Sequence, residues 1–215
     1  MLMGNTLSTW WKWNETIGPL TDRPGMAGVW EYQITTGLGL VEYMEWADDL
    51  NLEPILGVWS GLSLDGDHLK ESAIGDAVQH ALEEMEFLTG DAKTTKWGAV
   101  RASVGHPKPW KIKYVEIGNE DWLAGRPTAY DSYKNYRLPA FVKAFQEKYP
   151  KVQLIASPSV FDNMTVPAGL AGDWHPYLTP DKMVLAFNKF DNLSKDNVTL
   201  IGKTSPKAQA LPGNP

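Results

Sequence analysis

Short apolar runs alternate with longer amphipathic stripes along this chain, and no other feature constrains its fold as tightly. "EPILGVW" (53–59), "IKYVEIG" (112–118), "VQLIASP" (152–158), "GDWHPY" (172–177) and "NVTLIG" (197–202) each have the length and composition of a strand. Between them lie helical stripes: Leu40, Met44, Ala47 and Leu50, then Ile74, Val78, Ala81, Met85 and Leu88. A third helix is expected over about 130–149. A fourth is opened by Thr179-Pro180, with Met183, Phe187 and Phe190 on one face. Such alternation implies a parallel sheet with crossover helices, either doubly wound or closed as a (β/α) barrel. Residues 1–36 and the Gly/Pro-marked stretch before residue 112 read as loop, and "KTSPKAQALPGNP" (203–215) reads as a disordered tail.

At 215 residues the chain is long enough for one sizeable core. A net charge of -6 without a Lys/Arg cluster argues against nucleic acid or an anionic membrane surface as partner. No apolar run is long enough to span a bilayer, and no targeting peptide is visible. The absence of cysteine rules out disulfides and thiol catalysis. His68, His80, His106 and His175 lack metal-ligand spacing, and "GLGLVEY" has Glu42 where a dinucleotide fingerprint needs its third glycine, so neither a metal nor a cofactor is expected. Asn14, Asn163, Asn192 and Asn197 each head an N-glycosylation sequon, which points to the secretory route. Ten tryptophans leave two uses open, filling a core or lining a cleft where flat rings stack on sugars.

The stretch "KIKYVEIGNEDW" (111–122) carries the chemistry. In a strand, Tyr114, Glu116 and Gly118 share one face and Val115 and Ile117 the other. A barrel lumen tolerates Glu116 better than a sheet buried on both faces. Glu120 falls just past the strand's carboxyl end, where barrel enzymes place their reactive groups. The other reading is a turn in which Asn119 and Glu120 cap the next helix. Glu116 and Glu120 would stand roughly 13 Å apart on an extended chain. That exceeds the ~5–5.5 Å or ~6.5–9.5 Å separations of glycosidase carboxylate pairs, so a partner for Glu120 must come from another strand.

"YVEIGNEDW" resembles the fourth-strand signature of the α-L-arabinofuranosidases of glycoside hydrolase family 51, in particular the fungal branch. "GNTLSTWWKWNETIGPLTDRPG", "GLGLVEYMEWADDLNLEPILGVW" and "FDNLSKDNVTLIG" resemble further blocks of the same domain, so the likeness covers about residues 4–202. It implies a (β/α)8 barrel, here incomplete, with roughly strands 3 to 7 in 1–202 and a divergent tail in 203–215. It implies retaining hydrolysis of terminal arabinofuranosyl residues from arabinoxylan or arabinan, and an extracellular location. Glu120 would be the acid/base, Asn119 would hold the sugar 2-hydroxyl, and His175, Tyr177, Trp59 and Trp122 would line the pocket. Where the family carries its nucleophilic Glu, after Ile201-Gly202, this chain has Lys203. Impaired activity is therefore expected; a silent or merely sugar-binding product, and a related glycosidase acting on xylan or glucan, are the alternatives.

Overall fold

The structure, a computed structural model, describes residues 3–29, 32–122, 127–194 and 198–199, together with the backbone of 200 and 205–206. The first part holds two 3-10 turns, Trp13–Thr16 and Leu20–Asp22, and a two-residue antiparallel ladder between β1 (Met26–Ala27) and β2 (Gln33–Ile34). Helix α1 (Leu40–Asp49) follows, then β3 (Ile55–Val58), α2 (Ile74–Thr89), α3 (Lys96–Ser103) and β4 (Tyr114–Ile117). Next come α4 (Pro127–Ser132), a π-helical turn (Tyr133–Arg137) and α5 (Leu138–Lys148), and after them β5 (Gln153–Ala156), β6 (Ala171–Asp173), β7 (Tyr177–Leu178), α6 (Pro180–Leu185), β8 (Thr199–Leu200) and β9 (Ser205–Pro206).

β3, β4, β5, β6 and β8 form one parallel sheet in that order. The order never reverses, so this sheet lacks the switch point of a doubly wound fold. Successive strands are neighbours because each crossover carries the chain one place sideways. On one face Val58, Val115, Ile117, Leu154 and Ala156 are buried beneath the apolar stripes of the helices. α2 presents its expected stripe, with Ile74, Val78, Ala81, Met85 and Leu88 all buried. Most of the described tryptophans are packing residues: Trp13, Trp59 and Trp174 are buried, and Trp10, Trp11, Trp97 and Trp110 lie against the core.

Four expectations are corrected. The supposed loop before β4 contains α3, whose start is capped by the Thr95 hydroxyl accepting from the Gly98 N–H at 3.2 Å. "GDWHPY" is not one strand: β6 stops at Asp173, and Pro176, with no N–H to give a ladder, separates it from β7. α6 ends at Leu185, so Phe187 and Phe190 are not on its face; Phe187 is exposed, while Phe190 packs against Phe161 and Trp174. Within the supposed tail, the backbone of Ser205–Pro206 pairs in parallel with Tyr177–Leu178, and the other residues of 201–215 lie outside the described residues.

The turn from α2 to α3 is held by one buried cation. Arg101 donates to the carbonyls of Phe87, Leu88 and Gly90 at the end of α2 and to those of His106 and Pro107 after α3. Arg101→Met keeps the apolar stem but removes all five of these hydrogen bonds. We expect it to lower the unfolding free energy by about 3 kcal/mol, read from urea denaturation.

Candidate active site

At the carboxyl end of the sheet the chain after β4 turns sharply. Gly118 sits at φ 90° and Glu120 at φ 53°. A Cβ at Gly118 would come within 2.0 Å of the Asp121 carboxylate, so only glycine fits. Asp121 is fully buried, pairs with Arg137 at 2.6 Å and accepts from Ser60 Oγ at 2.8 Å. It also accepts from the Asn119 N–H at 3.1 Å, which closes the turn from inside.

Arg137 is equally buried and spends its remaining donors on Ser132 Oγ, the Ser60 carbonyl and hydroxyl and the Ala129 carbonyl. The π turn aims it. Pro139 has no N–H to return to the preceding turn, and the Leu138 N–H instead bonds the Tyr133 carbonyl five residues back. Tyr133, on the same turn, donates its hydroxyl to the Ile117 carbonyl at 2.6 Å and accepts from the Ser157 N–H at 3.0 Å, joining the ends of β4 and β5. Burial raises the Asp121 carboxyl from its ordinary value, and the Arg137 guanidinium opposes that shift.

This scaffold presents Glu120, half-buried, to two donors from the segment after β6. His175 Nδ1 lies 3.2 Å from Glu120 Oε1, and the Tyr177 hydroxyl donates to the same oxygen. On its other side His175 Nε2 meets Asp173, and Asp173 is hydrogen-bonded to Glu116. The result is a chain of groups from Glu116 through Asp173 and His175 to Glu120 and Tyr177. Trp122 closes one side, its ring edge-on to His175 with centroids 5.7 Å apart.

Burial alone would lower the His175 imidazole, but hydrogen bonds to Asp173 and Glu120 push it up to about 9. Burial, reinforced by the Asp173 charge and hydrogen bond, pushes Glu116 up to about 8. Burial and the bond to Glu120 raise the Tyr177 phenol to about 12. Glu116, Asp173 and His175 offer ligand atoms within 4.8 Å of one another, a spacing that would admit a cation. Both ring nitrogens of His175 already face carboxylates, however, so the set is closed by its own hydrogen bonds.

Of the residues singled out in the sequence, Glu120, His175, Tyr177 and Trp122 come together here. Asn119 stands beside them, half-buried, its side chain without a hydrogen-bond partner among the described residues. Trp59 is a core residue instead: one face is stacked on Trp10 at 4.4 Å and its N–H is given to the Leu62 carbonyl at 2.7 Å. Glu116 joins the network through Asp173 and His175, which link it to Glu120. Asp173 was missed, although an acid two residues before His175, in the run read as a strand, was the available signal. Lys203 lies outside the described residues.

Two predictions follow from this geometry. Asp121→Asn leaves the Arg137 charge buried without its counter-ion and is expected to cost about 3–5 kcal/mol in chemical denaturation. The pH dependence has a definite sign. His175 holds its proton more tightly folded than unfolded, so its contribution is complete below its ordinary 6.5 and lost by about 9. Glu116 acts in the same direction between its ordinary 4.5 and about 8. Thermal stability is therefore expected to fall steadily from neutral pH to about 9, with a shallower fall in Glu116→Gln.

The chain matches the family model described as "Alpha-L-arabinofuranosidase 1 domain" over residues 1–195. It is 43% identical over 212 residues to "Probable alpha-L-arabinofuranosidase A" of Aspergillus terreus, covering 95% of this chain and 32% of that protein. To "Alpha-L-arabinofuranosidase A" of Aspergillus niger it is 44% identical over 209 residues, with the same coverage of 95% and 32%. Among solved structures, an arabinose-bound GH51 α-L-arabinofuranosidase superposes with a TM-score of 0.87 at 35% identity, over 94% of this chain and 32% of that one. The chain thus spans about a third of the length of the relatives it matches. Sequence blocks, one-way parallel sheet and relatives agree: the chain belongs to the alpha-L-arabinofuranosidase 1 domain family, within glycoside hydrolase family 51, and carries part of that domain.

Proposed function

We propose that this chain is the acid/base half of a retaining α-L-arabinofuranosidase site. The observation that carries this is Glu120, held at the carboxyl end of a one-way parallel sheet by His175 and Tyr177. On this reading residues 1–202 are an incomplete (β/α)8 barrel, roughly strands 3 to 7, and 203–215 a divergent tail. The substrate is a terminal arabinofuranosyl residue of arabinoxylan or arabinan, a class suggested by the relatives' names and by the arabinose bound in the related structure. Asn119, whose amide has no other hydrogen-bond partner among the described residues, takes the 2-hydroxyl, and Trp122 flanks the ring. Glu120 protonates the leaving oxygen and then activates water for the second displacement. Exposed sequon asparagines at 14, 163 and 192 fit an extracellular glycoprotein, and among the described residues no helix is long and apolar enough to cross a membrane.

The nucleophile position is where the proposal limits the activity. Lys203 replaces the carboxylate that would form the glycosyl ester, and an amine there cannot provide that intermediate. A sugar-binding remnant is the second reading, favoured by this one substitution. The deciding assay is release of the aryl alcohol from an aryl α-L-arabinofuranoside, with and without sodium azide, by the chain and by Glu120→Gln. We expect no turnover in buffer. Azide, attacking the anomeric carbon as the leaving oxygen takes its proton from Glu120, restores release in the parent chain and not in the variant. Turnover without azide would overturn the assignment of Lys203. No release under any condition, with arabinose binding detected by calorimetry, would favour the remnant.

A further inference from the structure

Half-buried Glu116 and buried Asp173 are acids that the proposed reaction does not use, yet they are wired to the residue that it does. Glu116 rises from β4 and Asp173 from the end of β6, with β5 between them. Sheet register puts Gly57, Glu116, Ile155 and Ala171 in one row on the same face, with Asp173 one layer nearer the carboxyl end. Glu116 therefore reaches Asp173 past Ile155, its neighbour in that row.

We propose that Glu116 and Asp173 are positioning residues: Glu116 gives a hydrogen bond to Asp173, Asp173 holds His175 doubly protonated, and His175 presents its Nδ1 proton to Glu120. The inference rests on the reading of Glu120 as acid/base. Two donors converging on Glu120 Oε1 suit a carboxylate, which is the form needed to activate water. The acid form needs a proton from nearby, and the Nδ1–H of His175 is at hydrogen-bonding distance. Proton passage from Nδ1 to Oε1 leaves a neutral imidazole still bonded through Nε2–H to Asp173. When water later yields its proton to Glu120, the return transfer restores the imidazolium. No proton is gained or lost over the cycle.

The charged surroundings favour this assignment. His175 faces Asp173, Glu120 and Glu116, all acids. Glu116 faces Asp173 and His175 and, further off, Asp121 with its partner Arg137 and the Tyr133 phenol. Three carboxyls around one imidazole keep it cationic, while a protonated Glu116 spares Asp173 a second charge at its back.

The test reads the network directly, so it does not depend on turnover. Imidazole nitrogen shifts of the four histidines are followed by NMR from pH 5 to 11, the His175 signals being those lost in His175→Gln. In the parent chain His175 is expected to stay doubly protonated to about pH 9. In Asp173→Asn its midpoint should drop by two units or more, and the Glu120 carboxyl, followed by carbon NMR, should titrate at higher pH than in the parent. Glu116→Gln, close in shape, should lower the His175 midpoint by less. A parent His175 that titrates near its ordinary 6.5 overturns the proposal even if Asp173→Asn fails to fold. An unmoved His175 in folded Asp173→Asn overturns the role of Asp173, and an unmoved His175 in Glu116→Gln overturns that of Glu116. An intact titration in a chain inert to arabinofuranosides, with or without azide, would instead count against the reading of Glu120 alone.

Discussion

Everything at the carboxyl end of the sheet hangs on one buried ion pair, Asp121 with Arg137. Neither side chain reaches water. Such a pair offers little net stability, since desolvation cancels much of the attraction, and an apolar plug of equal volume would pack as well. What an apolar plug lacks is direction. Arg137 bonds Ser60 beyond β3, Asp121 beyond β4, and Ala129 and Ser132 of α4, so it fixes three segments by angle as well as by distance. Tyr133, one π turn earlier, does the same for β4 and β5 through one hydroxyl. The π turn widens the helix where both side chains must reach inward, and Pro139 is the residue that makes the ordinary helical bond unavailable there.

The sheet and its main helices were legible in the sequence because their signal is periodic and strong. Val115 and Ile117, or Ile74 through Leu88, must bury apolar area whatever their neighbours do, and the spacing says how. α3 escaped because Gly98, Gly105 and the nearby prolines mimic a loop, while its real start signal is one hydroxyl, that of Thr95. Phe187 and Phe190 misled because they continue a helical spacing past the residue where α6 stops.

The site was half legible for a related reason. Glu120, His175 and Tyr177 stand at strand ends, and strand ends can be located from the runs that precede them. Distances around a turn cannot. Counting rise per residue from Glu116 to Glu120 assumes an extended chain, whereas Gly118 and Glu120 both take positive φ. The bridge through Asp173 needs β6 to lie two places from β4, a fact of topology that no local window contains. Trp59 shows the converse error: a tryptophan at a strand end has the right address for a sugar platform, but Trp10, distant in sequence, already covers it.

The conformation of Glu120 shows how the two levels meet. A non-glycine residue at φ 53° costs about 1 kcal/mol or more, and glutamate has no special tolerance for it. Glycine there would be easier on the backbone, so stability alone does not call for this residue. The strain persists because Asp121, the next residue, is clamped by Arg137 and Ser60, and because Asp121 in turn accepts the Asn119 N–H. With both neighbours held, Glu120 keeps this backbone conformation, and its carboxylate meets His175 and Tyr177. The buried pair therefore does more than fasten three segments together. It holds a strained glutamate with its carboxylate on His175 and Tyr177.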